Sequence, residues 1–300
     1  MTRWLPFLLA LLLLTPLAHA DEDDEDDEFE TNWIGLRVGA WYHPTFNMDV
    51  QVTGRPLGGL TNLIGTEFDI KRDLGVEENP RSPSLVDFDQ SAVLEFEPFI
   101  ETSFVSFYGW LVTPFEYRGE AQLTRTINFA GQSFSASTTV ESKFRQAFFG
   151  ADFTINIFNN RYFRISPLVG ARALLVDWEI RDRLSGLRGD TTDIDSGVRL
   201  GDFQVLPYPE IGGAVHVGYR DYIDVRLLLA GSYVDYFNFK GSSYRVEASV
   251  TAYPIPWIGI RVGARFLEFD FSSRTDNSRN GSFDMDLEYL GANLSLIVRI

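Results

Sequence analysis

The chain has 300 residues, no cysteine, 14% aromatic residues and a formal net charge of −16. Without cysteine there is no disulfide framework and no thiolate chemistry, and the acidic balance argues against nucleic acid, whose binding proteins present a basic face. The mean hydropathy is −0.07, and after the first twenty positions no apolar run approaches the ~20 residues of a membrane helix, which excludes a helical membrane bundle.

The N-terminus reads as an export signal. Arg3 precedes an apolar stretch from Trp4 to Leu17, and Ala18-His19-Ala20 supplies an A-x-A cleavage site. Residues 1–20 are therefore expected to be removed, leaving Asp21 first. Asp21 to Glu28 places eight carboxylates in succession, about half of the net negative charge. Such a block buries nothing and repels itself, so residues 21–31 read as a disordered, solvated acidic tail on the periplasmic side. The basic residues are 23 Arg against only Lys71, Lys143 and Lys240, a bias suited to planar, bidentate pairing in an enclosed space.

From Trp33 onward the dominant signal is a period of two. In the first segment Ile34, Leu36, Val38, Ala40 and Tyr42 share one face, and Gly35, Arg37, Gly39, Trp41 and His43 the other. The alternation recurs at Ala147–Ile157, Phe163–Leu175, Ile211–Tyr219, Ile223–Ser232, Arg245–Ala252, Ile258–Phe266 and Leu290–Ile300. It is less clean at Ala92–Pro98 and at Phe104–Tyr117, where aromatics occupy both faces. Tight connections at Pro98–Glu101, Phe158–Arg161, Tyr219–Tyr222 and Pro254–Trp257 alternate with outer ones at Asn47–Pro83, Gly119–Thr139, Arg183–Gly201, Lys240–Ser242 and Ser272–Ser282. Residues 32–300 are thus expected to form one all-β, transmembrane, antiparallel up-and-down β-barrel of about ten strands (about 8 to 12), with short periplasmic turns, long outer loops and strands that run on beyond the membrane.

The pattern from Trp33 to Ile300 resembles the small outer-membrane β-barrel proteins of Gram-negative bacteria, in the broad sense that includes OmpA-like and OmpW-like barrels. The C-terminal segment looks like the assembly signal of such barrels, carried by Asn293, Ser295, Leu296, Val298 and Ile300, with Ser295 where glycine is usual and Ile300 where an aromatic is usual. Gly65–Gly75, following Trp41-Tyr42-His43-Pro44, and Phe115–Glu120, leading into Thr126–Phe129 and Gly131-Gln132, look like segments recurring in poorly characterised barrels of this kind. The resemblance implies a place in the outer membrane, contact with its lipid and lipopolysaccharide, and delivery by the barrel-assembly machinery. It carries over no catalytic residue.

Assigning the polar face to the lumen collects eight arginines, Arg37, Arg164, Arg172, Arg226, Arg245, Arg261, Arg265 and Arg299, and six acids, Glu95, Glu97, Asp152, Glu210, Asp224 and Glu247. Near-balance of sign is what a narrow interior requires, because an unpaired buried charge is costly. Ten strands lie near the size at which side chains fill the barrel. The leading expectation is a plug of ion pairs; the alternative is a narrow, weakly anion-preferring pore.

Ten is also the strand count of the omptin proteases, whose site resembles Asp/Asp and Asp/His pairs at the outer rim. His43, expected inward near Asp49, and His216, near a periplasmic turn, are the residues to test. Neither brings a nucleophile and orienting partner at fixed spacing, and no Walker loop, zincin motif or nucleophile elbow occurs. Asp49, Glu67, Asp69, Asp73, Glu77 and Glu78 of the first outer loop lack Ca²⁺-loop spacing and read as solvated, against a divalent cation shared with lipopolysaccharide. The expectation is a non-enzymatic barrel without cofactor or metal, structural or surface-interacting. A channel for small polar or anionic solutes comes second and an outer-membrane hydrolase third.

Overall fold

Alternation sustained over whole strands leaves each strand with two faces of different polarity, and the sheet they form closes on itself. In the computed structural model, residues 32–53, 65–76, 92–190, 198–219, 222–236, 239–273 and 282–300 are described; the expected signal, the acidic run, Glu77 and Glu78 lie outside them. Ten long strands make the wall: β1 (Trp33–Thr53), β2 (Ala92–Glu101), β3 (Val105–Gln122), β4 (Thr139–Ile155), β5 (Phe163–Asp182), β6 (Phe203–Val217), β7 (Ile223–Tyr236), β8 (Phe239–Ile255), β9 (Ile258–Ser273) and β10 (Ser282–Arg299). Each pairs antiparallel with the next, and β10 returns to β1, from Gly35↔Arg299 to Thr53↔Ser282.

The chain termini of the barrel and four short connections (102–104, 156–162, 218–222 and 256–257) share one end, here called the turn end. Two expected connections shift. Pro98 does not break β2, which continues to Glu101; the turn that follows is tied by Thr102 Oγ1, which accepts from Val105 N at 3.0 Å. Gly109 on β3 makes room for the proline ring, since a Cβ there would lie 2.8 Å from Pro98 Cγ. Lys240 belongs to β8, so the connection it was assigned to falls earlier, after Tyr236.

Toward the turn end the apolar residues face outward. On β10 these are Leu290, Ala292, Leu294, Leu296, Val298 and Ile300, each flanked by buried inward positions. Ten residue steps cover about 34 Å of strand, or about 25 Å of depth at a tilt near 42°, the height of a lipid-facing band. Phe104, Phe158, Tyr162, Tyr222 and Trp257 are exposed at its turn-end edge, and Tyr42, Tyr233 and Tyr244 at the other, matching the aromatic girdles that mark two membrane interfaces.

Beyond the second girdle the faces exchange character. β10 now turns Met285, Leu287 and Tyr289 inward, each nearly inaccessible, and Asp284, Asp286 and Glu288 outward. β9 does the same with Leu267, Phe269 and Phe271 against Glu268, Asp270 and Ser272. In β1 and β3 the exchange is made by a bulge. Two residues of β1, His43 and Pro44, oppose the single Gly291, and Thr113 and Pro114 of β3 oppose the single Ala147. One extra residue reverses every later side chain: even positions face out below the β1 bulge, whereas Met48, Val50 and Val52 are buried above it. Proline fits there because a bulge leaves a donor unpaired in any case. This also explains the aromatics on both faces of Phe104–Tyr117, since Tyr108 and Trp110 point inward before the bulge and Phe115 and Tyr117 after it.

Leu294 and Asp286 share the outward face of β10 on opposite sides of this boundary. Leu294→Arg should cost about 2–4 kcal/mol, as for a basic residue near mid-bilayer, whereas Asp286→Arg should be neutral or stabilising. Folding titrations into lipid vesicles check the pair; equal destabilisation would misplace the boundary.

Candidate functional site

The barrel encloses a lumen whose contents change with depth. In the lipid-spanning half all fourteen residues expected to form the charge network project inward, and all but the partly shielded Asp224 are buried. Arg265 makes a forked pair with Glu95 at 2.8 and 2.9 Å and reaches Glu247 at 2.7 Å. Arg172 and Arg245 share Asp152 and Glu210, with Arg245 at 3.0 Å from the first and 2.7 Å from the second. Arg37 pairs with Glu97 and with Glu101 at 3.3 Å, and Arg261 lies 3.4 Å from Glu97. Arginine serves here because its planar fork engages two carboxylates at once.

Glu101 was missed by assigning it to a turn. It accepts from Tyr108 Oη at 2.8 Å and lies 3.9 Å from Arg164. The available signal was parity: Glu95, Glu97 and Glu101 are all odd-numbered in one strand. His216 is also buried, 3.0 Å from Asp224 Oδ2 and 3.0 Å from Arg164 Nη2. Of the expected assembly residues, Asn293 and Ser295 are buried inward, and Leu296, Val298 and Ile300 sit on the lipid face.

Above the ion pairs the lumen is aromatic. Arg265 stands over Trp41 at 5.5 Å and Trp110 at 5.1 Å, where the charged layer meets the apolar one. Phe148, Tyr289, Phe269, Phe144 and Trp178 continue it outward with at most 1% exposure. Two outer-loop segments then close the top. One is the short strand Phe68–Asp69 and helix α1 (Ile70–Leu74), capped by the Asp69 side chain and by Gly75 at φ 61°, a conformation glycine adopts without strain. Phe68, Ile70 and Leu74 are buried. The other is the hairpin Ile127–Phe129 and Gln132–Phe134.

These are the two segments singled out in the sequence, and they touch. Thr66 N donates to Asn128 O at 2.9 Å, Arg125 Nη2 donates to Glu67 O at 2.9 Å and pairs with Asp73 at 3.0 Å, and Phe68 and Phe129 pack on Trp178 at 5.4 and 4.9 Å between ring centroids. Among the described residues, the lumenal cavities measure about 20 and 10 Å³.

Among the described residues, the outer rim offers no Asp/His pair. The His43 side chain lies outside the described residues. Asp49 is on the outer wall opposite Asp286 and Asp69, with the apolar core behind it. Cross-strand pairing sets Asp49, Asp286 and Asp270 side by side, and Glu288 beside Glu268. Partial burial and these neighbouring carboxylates push Asp49, Glu268 and Asp286 above the usual carboxylate range. Asp73 moves the opposite way: hydrogen bonds and charge from Arg72 and Arg125 outweigh its partial burial. Among the described residues no group of three or more possible ligands could hold a metal ion.

No protein-family profile matches the chain, and no curated protein sequence does. Among solved structures it is similar to the outer membrane protease OmpT from Escherichia coli, at 10% identity and a TM-score of 0.44, covering 89% of this chain and 97% of that one. It is also similar to the attachment invasion locus protein Ail of Yersinia pestis, in complex with the heparin analogue sucrose octasulfate (10% identity, TM-score 0.27, 88% and 98% covered). The Pseudomonas putida toluene transporter TodX is a third (8% identity, TM-score 0.29, 90% of each chain). At these identities and overlaps none of the three bears on what this chain does. The fold itself, a closed ten-strand barrel with an apolar outer band and a polar lumen, is that of an outer-membrane β-barrel protein.

Glu95→Gln leaves the buried Arg265 fork without its carboxylate and should cost roughly 3–5 kcal/mol. Glu120→Gln, at the exposed pair with Arg183, should cost under about 1 kcal/mol. Urea unfolding in lipid vesicles compares the two.

The outer carboxylates give a pH signature. Because the folded state raises their pKa, it binds protons more readily than the unfolded chain, so stability falls as pH rises through the carboxylate range and the repulsion is fully present at neutral pH. Asp286→Asn should therefore stabilise by about 0.2–1 kcal/mol at neutral pH, with the gain shrinking in high salt and vanishing below about pH 4. Unfolding midpoints across pH measure it.

Proposed function

We propose that this protein is a non-conducting barrel of the Gram-negative outer membrane with a structural or surface-interaction role. Its two filled layers hold a rigid outer extension above the lipid. The observation that carries the reading is the double filling of the lumen: ion pairs across the lipid-spanning half, and an aromatic core capped by two loop segments beyond it. A hydrated ion does not cross either layer without displacing buried, packed groups. Strands of 15 to 21 residues, such as β6 and β1, are longer than the ~9–11 that crossing needs, and the surplus carries a charged wall into water.

The immediate surroundings are lipid and, at the outer leaflet, lipopolysaccharide. Delivery by the barrel-assembly machinery fits the alternation of β10 through Ile300. We assign the chain no catalytic role: among the described residues the outer rim joins exposed carboxylates to an apolar interior, with no nucleophile and base in reach of each other.

Purified protein in planar bilayers should show no steady conductance, and Arg261→Gln should lower unfolding stability without opening a current. Reproducible single-channel steps in the unmodified protein, with anion preference reduced by Arg261→Gln, would replace this reading with a narrow channel.

A further inference from the structure

The buried charges of the lumen are not evenly divided. The inner layer next to Trp110 holds Arg172, Arg245 and Arg265 against Glu95, Asp152, Glu210 and Glu247, an acidic excess of one. Toward the turn end, among the described residues, Arg37, Arg164, Arg226, Arg261 and Arg299 face Glu97, Glu101 and Asp224, a basic excess of two. These five arginines and the last two acids line a polar recess among the turn-end halves of the strands, about 20 Å³ of it enclosed and the rest open to solvent at that mouth.

Two of the five are accounted for. Arg37 is paired, and Arg299 lies over Tyr253 at 3.7 Å and Trp33 at 4.3 Å. Arg226 is not: it is 6% exposed, its Nε is buried with no hydrogen-bond partner, and among the described residues no carboxylate lies within ion-pair distance of it, although it faces Tyr108 at 5.2 Å and also borders the inner cavity that Glu97, Asp152 and Glu247 line. Arg164 adds Nε and Nη1, both without hydrogen bonds, and Arg261 adds its Nε and two ion pairs stretched to 3.4 and 3.6 Å. Several charged donors therefore converge on one small polar space without enough acceptors. A buried guanidinium left in that state is strongly disfavoured unless an anion joins it.

We infer that this cavity is a binding site for one small oxyanion, of the phosphate, sulfate or carboxylate class, held by Arg226 with Arg164 and Arg261. Arg226 supplies the fork that no carboxylate of the described residues occupies, and His216, held between Arg164 and Asp224, closes one side. The inference does not depend on whether the lumen conducts. The same chemistry has two sources. One is a free anion of the periplasm. The other is a carboxylate of Asp21–Glu28, since Glu28 precedes Trp33 at this mouth by few enough residues to span about 15 Å when extended.

Thermal unfolding of the full mature chain in detergent micelles, titrated with inorganic phosphate against chloride at matched ionic strength, tests it, beside a chain lacking Asp21–Glu28. A saturable rise in midpoint with phosphate in both chains supports a free anion; a rise confined to the shortened chain supports the chain's own carboxylates. In either case Arg226→Gln should weaken the apparent phosphate affinity at least tenfold, and Lys143→Gln on the outer wall should not change it. Should Arg226→Gln fail to fold, Arg226→Lys, which keeps charge and loses the fork, should show the same loss. No response beyond chloride in either chain, or a response untouched by the Arg226 substitutions, overturns the site.

Discussion

The long strands of this barrel pass from lipid into water, and that passage forces their two faces to exchange polarity. In lipid the outward face must be apolar and the inward face may be polar. In water the outward face is charged and the interior must supply the apolar burial that holds the sheet together. β9 and β10 meet the constraint by composition alone, keeping one parity while Phe266 gives way to Glu268 and Leu290 to Glu288. β1 and β3 meet it with one extra residue each, at His43-Pro44 and Thr113-Pro114. Without those bulges Met48, Val50, Phe115 and Tyr117 would face water, and Asp49 and Glu116 would enter the core.

The two-layer lumen follows from the same exchange. Inward positions below the boundary must be polar enough to complement the apolar exterior, and in a ten-strand barrel they lie close enough to require partners, hence the forked arginines on Glu95, Glu97, Asp152, Glu210 and Glu247. Above it they pack as an ordinary core, and Phe68, Ile70, Leu74 and Phe129 from the loops join that core inside the wall. Arginine over the rings of Trp41 and Trp110 joins the layers. The residual imbalance collects at the opposite mouth, around Arg226. The outer wall bears its own strain in the carboxylates ranked across β1, β10 and β9.

Much of this was legible in the sequence. Period-two alternation fixes the strand faces of Ile34–Tyr42 and Leu290–Ile300, and connection lengths fix ten strands and the orientation of their ends. Inward parity also selects the lumenal arginines and acids. Glu101 escaped because Pro98 reads as a breaker, yet an outward proline opposite Gly109 costs β2 only one donor. The outer core escaped for a different reason: alternation reports that two faces differ, not which one meets lipid. Phe269 and Asp270 alternate as regularly as Ile260 and Arg261, and only their depth along the strand distinguishes a core from a lipid face. A bulge is harder still, because a one-residue change of phase looks like loss of pattern, as at Phe104–Tyr117. Pairing partners such as Arg172 with Asp152 depend on barrel closure, which no local segment encodes.

The absence of cysteine makes the central claim directly measurable, since single cysteines report on otherwise silent protein. Leu294→Cys, Asp286→Cys and Leu287→Cys place a thiol on the outward face in lipid, on the outward face in water and in the closed outer lumen. With folded protein in lipid vesicles, a water-soluble thiol reagent should modify the thiol at 286 rapidly and leave those at 294 and 287 protected, while a lipid-borne quencher should reach only a fluorophore carried at 294. Rapid aqueous modification at 287, or protection by lipid at 286, would contradict a barrel whose faces exchange polarity and whose outer lumen is filled.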